Sequence, residues 1–190
     1  RLKRLQISLI LVGIGLMLAL ILRWFQVPHL NAQRIQPLAQ YPLIQVYMNH
    51  NPATQYREPY RSQIRPGDNL ERMIIDQIQQ ARSSVEVAVQ ELRSPLIAQA
   101  LRDRHQAGVR IRVVIENTYS RPWSSITPAE VQQMDTRMQG RYRENTRLID
   151  RNGDGTLSPS EIDHNDALQV LRKAGIPWLD DTADGSAGSG

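Results

Sequence analysis

No cysteine occurs among the 190 residues, which excludes a disulfide scaffold, a thiolate-ligated zinc site and a cysteine nucleophile. Lysine is nearly absent too: Lys3 and Lys173 are the only two, so the 23 basic side chains are almost all arginine. Residues 1–23 contain no acid, only Arg1, Lys3, Arg4 and Arg23. Taking those four from 23 bases leaves 19, against 19 acids in the whole chain. The net charge of +4 and the pI of about 9.8 therefore belong to the amino-terminal segment. A nucleic-acid groove, the first thought at such a pI, finds little support in the rest of the chain. That part is slightly basic as far as Arg121 and acidic beyond it, with 7 bases against 11 acids. The first residue is Arg rather than Met, and the last seven, Asp184 to Gly190, are a Gly/Ser-rich tract. Such a tract reads either as an added linker or as a native loop cut short.

Ile7 to Leu22 is a run of 16 uncharged residues. As a helix it spans about 24 Å, and Trp24, Phe25 and Val27 extend it towards the ~30 Å of a bilayer core. Arg23 can snorkel and Trp24 suits the interface. A cleaved signal peptide is the alternative, but the run is long for one and no Ala-x-Ala site stands nearby. The reading is a membrane anchor over residues 1–27, contacting the bilayer through 7–27. The positive-inside rule then places the amino terminus in the cytoplasm and the bulk of the chain on the extracytoplasmic side, as a single-pass protein. Residues 28–41, rich in Pro and Gln, read as a linker.

The remainder predicts an α/β domain. Leu43 to Met48 is a candidate buried strand. Asp68 with Glu71 suggests a capping box for a helix facing inward through Leu70, Ile74, Ile78 and Ala81. Val85, Val87 and Val89 alternate as a strand. Ser94-Pro95 starts a second helix, which Gly108 ends. Val109 to Ile115 forms a third strand, Gly175 ends a later helix, and Ile176 to Leu179 forms a fourth strand. Alternating strands and helices predict a mostly parallel sheet with flanking helices. Ligands gather off the carboxyl ends of such strands, which here carry Asn49, His50, Gln90, Glu91, Glu116 and Asn117. Loop capping is the plainer role for each of these six.

Residues 127–174 form a helical insertion. Thr127-Pro128-Ala129-Glu130 starts a helix whose apolar stripe runs through Val131, Met134, Met138, Tyr142 and Ile149. Asp150 to Glu161 then matches the 12-residue EF-hand calcium loop position by position. Asp150, Asn152 and Asp154 supply oxygens at positions 1, 3 and 5. Gly155 permits the turn, and Thr156 offers its carbonyl. Ser158 can act through water, Glu161 can bind with both oxygens, and Leu157 faces the core. Three carboxylates this close repel one another unless a cation joins them. The cofactor expected is Ca²⁺, bound weakly, at about 10⁻⁴–10⁻³ M, as in extracellular modules. A lone loop suits a structural clip better than a switch.

Three stretches carry a family resemblance: Arg65-Pro66-Gly67-Asp68-Asn69-Leu70-Glu71, Val87-Ala88-Val89-Gln90-Glu91-Leu92 and Ala107 to Pro122. With the calcium loop and the ending Asp180 to Ser186, residues 47–190 resemble the amino-terminal half of a bacterial phospholipase D-like protein of the cyanobacterial type. The resemblance implies an incomplete phospholipase D-like domain over 42–190. It also implies phosphodiester hydrolysis, of phospholipid rather than nucleic acid, through a phosphohistidine. In that family the chemistry lies in H-x-K-x4-D motifs. His29, His50, His105 and His164 are the four histidines, and none has Lys two residues on. No catalytic residue is therefore assigned. The resemblance would put the first motif, and the second half of the enzyme, beyond Gly190. A membrane-tethered calcium module without catalysis and a phospholipase D-type nuclease are the alternative functions.

Overall fold

A computed structural model describes residues 16–17, 35–37, 39–180 and 182. The chain divides into two compact units, residues 1–44 and 45–190. In the first, Leu16 and Met17 are helical and exposed, and Tyr41 forms an antiparallel bridge with Ile44. The rest of the expected span at 7–27 lies outside the described residues. Among the described residues, no helix is long and apolar enough to cross a membrane.

The second unit begins with a short antiparallel ribbon, β1 (Gln55–Arg57) and β2 (Ile64–Pro66), in which Tyr56 lies opposite Arg65. Alternating elements follow: α1 (Leu70–Gln80), β3 (Ser84–Val89), α2 (Pro95–Gln106) and β4 (Arg110–Ile115). After two single 3₁₀ turns come α3 (Pro128–Gln133), α4 (Thr136–Ile149), α5 (Pro159–Asn165), α6 (Ala167–Lys173) and β5 (Trp178–Asp180). β3, β4 and β5 make a parallel sheet in that order. This is the expected α/β layer, and its elements start and stop where local chemistry dictates. The Ser94 hydroxyl accepts from Ile97 N–H at 3.1 Å, with Pro95 in the first turn. Gly108, at φ +86°, turns the chain off α2 in a conformation that a side chain disfavours. Thr127–Glu130 and Ser158–Glu161 both form complete capping boxes.

β4 alternates strictly: Ile111, Val113 and Ile115 are buried, while Arg110, Arg112 and Val114 are exposed. α2 covers the buried side and packs also against α1 and α6. There Leu101, Leu168, Leu171 and Ile176 are fully buried. The other face, with Val114 and Leu179, is not covered by any of the described residues, which is unusual for a parallel sheet. Glu86 and Arg112 pair on that face at 2.5 Å.

Four local expectations need correction. Leu43 to Met48 is no strand: Tyr41 bridges to Ile44, but the segment joins no ladder among the described residues, and its apolar side chains are exposed. Strand propensity without a partner does not make a strand. Asp68 does not cap α1. Asn69 does, its side chain accepting from Arg72 N–H at 3.0 Å. The buried face of α1 is Ile75 and Ile78, whereas Leu70 and Ile74 are exposed. Finally, the first helix ends at Gln133, and Asp135 caps a second, so the stripe from Val131 to Ile149 is split between two helices.

Candidate functional site

Three polar assemblies stand apart from the core. The first is the loop after α4. Asp150 accepts from Gly153 N–H at 2.7 Å and Gly155 N–H at 3.0 Å. Asp154 accepts from Thr156 N–H and hydroxyl at 2.8 and 2.7 Å, and from the Asn152 amide at 2.9 Å. Glu161 reaches back to Arg151 and Asn152 N–H at 2.9 and 3.2 Å, and takes the Ser158 hydroxyl at 2.7 Å. These donors hold the Asp154 and Glu161 carboxyls below their usual range, the Thr156 side chain contributing most to the first and the Ser158 side chain most to the second. Leu157 packs against the core, as expected. Among the described residues, no three or more His, Asp or Glu side chains are gathered closely enough to hold a metal ion. The loop's acids point to its own backbone instead. An oxygen-only donor set fits Ca²⁺ by type; both Asp150 oxygens and Asp154 Oδ2 accept one bond each, whereas Asp154 Oδ1 and both Glu161 oxygens already accept two.

The second assembly lies past the carboxyl end of β3. Glu91, 8% exposed, accepts from three donors. These are Trp123 Nε1 at 3.1 Å, Asn145 Nδ2 at 3.2 Å and Arg141 at 2.6 Å. The Arg141 guanidinium also stacks over the Tyr119 ring, 4.7 Å from its centre. Asp166, fully buried, caps α6 and accepts from Ser124 N–H at 2.8 Å. Glu91 ties α4, and Asp166 ties the start of α6, to the loop after β4. Glu91 stands at a strand end, as its sequence position predicts, but its partners lie 32 to 54 positions away, and no local pattern announces them. Glu116 accepts from Thr118 and keeps Oε2 buried without a partner.

The third is a groove of about 480 Å³ beside the β1–β2 ribbon. Asp68 builds its rim by accepting from Met48 N–H at 2.9 Å, Thr54 hydroxyl at 2.7 Å and Asn51 Nδ2 at 3.1 Å. The first two lower its pKa most. Gly67 lies so close to the turn that an added Cβ would stand 2.0 Å from the Asn49 carbonyl oxygen. Asn49 and His50, expected at a strand end, line this groove instead. On its far wall the Tyr60 hydroxyl donates to Glu71, as does Ser94 at 2.5 Å. Burial, with help from Glu71, pushes the Tyr60 pKa up. Arg151 of the acidic loop lies over the Tyr60 ring, 5.2 Å from its centre, and donates to the Pro59 carbonyl at 3.0 Å. The loop and the groove are therefore in direct contact. His105 is half-buried in α2, and His164 Nδ1 lies 2.7 Å from the Ser160 carbonyl, so neither faces this groove.

Residues 74–177, more than half of the chain, match the family model described as the cardiolipin synthase, phospholipase D-like domain. The chain belongs to the phospholipase D-like family. The match runs from within α1 to the threshold of β5, so it covers β3, β4, the helices α2 to α6 and the Glu91 network. The groove at 49–71 precedes the matched part of this phospholipase D-like chain. No curated protein matches the chain, and no solved structure does.

Proposed function

We propose that this chain is the scaffold of a membrane-anchored, calcium-binding phospholipase D-type phosphodiesterase. The observation that carries the reading is the family match over 74–177, laid on a parallel α/β sheet. A phospholipase D-type reaction would pass through a phosphohistidine and act on a phospholipid in preference to nucleic acid. The cyanobacterial-type resemblance supports this, as does the apolar run at 7–27, which would hold the domain against a bilayer on its extracytoplasmic side. The sequence contains no His-x-Lys, so the attacking and protonating histidines would come from further polypeptide following Gly190 in the same gene product.

Asp150, Asn152, Asp154 and Glu161 would hold one Ca²⁺, with the Thr156 carbonyl and Ser158 completing the set. The ion supplies charge: it relieves the repulsion of three acids in a 12-residue loop and takes no part in bond cleavage. Through Arg151 the loop braces the Tyr60 wall, which suits a structural clip.

The gene beyond Gly190 tests the catalytic half: an in-frame H-x-K-x4-D is required, and a stop codon there ends that reading. Calorimetry with Ca²⁺ tests the other half. Heat saturating in the sub-millimolar to millimolar range, abolished by Asp150→Ala, is expected. No heat at millimolar Ca²⁺ removes the ion from the account. The absence of His-x-Lys also favours a second reading, a tethered calcium module without catalysis. Heat with Ca²⁺ together with a stop codon would select it.

A further inference from the structure

We propose that the groove at residues 49–71 is an anion subsite that binds the phosphoryl group of a phosphodiester. The inference rests on the phosphodiester substrate class given above, but on none of the catalytic histidines. Two acids line the groove and accept hydrogen bonds from the protein, Glu58 through both oxygens and Glu71 through Oε1. Glu58 accepts from Tyr60 N–H at 3.0 Å and Arg61 N–H at 2.6 Å, and Glu71 from the Tyr60 and Ser94 hydroxyls. Arg57 donates to the Ser62 carbonyl. The donors left over are the Arg65 guanidinium, the Tyr56 hydroxyl and the His50 ring, whose side chains have no partner within the protein among the described residues. Antiparallel register sets Tyr56 directly opposite Arg65, so both project from one face of the ribbon. The turn pinned by Asp68 brings His50 to the same groove.

A fork of parallel N–H groups, a hydroxyl and a ring N–H suit an acceptor-only anion with two non-bridging oxygens. A volume of about 480 Å³ holds a headgroup-sized ligand. Arg61 and Arg151 border the groove and lift the local potential, offsetting the two engaged acids.

Nuclear magnetic resonance on the full chain, held in zwitterionic micelles, tests the assignment. Inorganic phosphate is the first probe. Small vesicles of phosphatidylglycerol in phosphatidylcholine are the second, with binding read by sedimentation. Saturable shifts of the Arg65 side-chain N–H and His50 ring signals are expected with phosphate. Arg65→Gln should weaken phosphate about tenfold or more, and Tyr56→Phe severalfold. Arg65 is exposed and makes no side-chain bond among the described residues, so the amide spectrum of Arg65→Gln should otherwise match the parent. Vesicle binding that needs Arg65 and falls on adding phosphate marks a lipid headgroup as the source. Phosphate binding alone marks a soluble ester. Equal phosphate affinity in the parent and Arg65→Gln, or no saturable shift at these residues, overturns the subsite. A stop codon after Gly190 beside intact Arg65-dependent binding would remove the catalytic reading and leave the subsite standing.

Discussion

Replacing Glu91 by Ala removes one carboxylate and strands three donors. Arg141, Asn145 and the Trp123 indole all meet Glu91, whose side chain is 8% exposed. Breaking a buried ion pair on one side costs about 3–5 kcal/mol. Arg141 is 25% exposed and would regain some water, which sets the loss at the lower end, about 3 kcal/mol. For a chain of this size that lowers Tm by about 6–12 °C. Glu91→Gln keeps an acceptor for Trp123 and Asn145 and should lose about half as much. A Glu91→Met, Arg141→Met double variant should lose less than Glu91→Ala, because no charge is left alone in the interior. Thermal and urea unfolding of the full chain, followed by far-ultraviolet circular dichroism, gives all three numbers. A loss below about 1 kcal/mol for Glu91→Ala would refute the view that this pair docks α4 onto the end of β3.

Other outcomes follow from the same geometry. Leu101→Ala, at a fully buried position on α2, should cost about 3–4 kcal/mol in urea unfolding. Gly67→Ala should displace the turn at 48–54, since φ is +95° and the new methyl would meet the Asn49 carbonyl. Altered amide shifts over 48–54 are the check. The Glu130 carboxyl is pulled down to about 2, first by Arg121 and then by Thr127. A depressed folded pKa means its stabilisation is complete above the ordinary value of 4.5 and disappears as pH falls towards 2. Glu130→Gln should flatten that stretch of the stability–pH curve. Arg151→Ala should speed amide exchange around Pro59 and Tyr60, at a global cost of about 1 kcal/mol or less.

The alternating layer was legible because its signals are local. Ser94-Pro95, Gly108, Gly175 and the two Ser/Thr–Glu boxes each act within four residues, and β4 shows its buried side by alternation alone. Where a local signal misled, a distant group had claimed the residue. Asp68 has the spacing of a cap with Glu71, yet its oxygens go to Met48, Asn51 and Thr54, and Glu71 goes to Tyr60 and Ser94. Leu43 to Met48 has the composition of a strand, but pairing is a property of two segments. The Glu91 network and the groove were illegible for the same reason: each joins residues brought together only by the finished fold. The acidic loop was readable as a pattern, while the convergence of its oxygens on an ion is a question of geometry and charge that spacing does not decide.

The most direct test of the central claim is phosphodiester hydrolysis by the product of the whole reading frame, with phosphatidylglycerol as substrate and the enzyme quenched during turnover. The account predicts release of the headgroup alcohol and an acid-labile phosphatidyl group held on histidine through a P–N bond, both lost when the His of an H-x-K-x4-D motif is replaced by Ala. Absence of hydrolysis, or hydrolysis that survives that replacement, would contradict it.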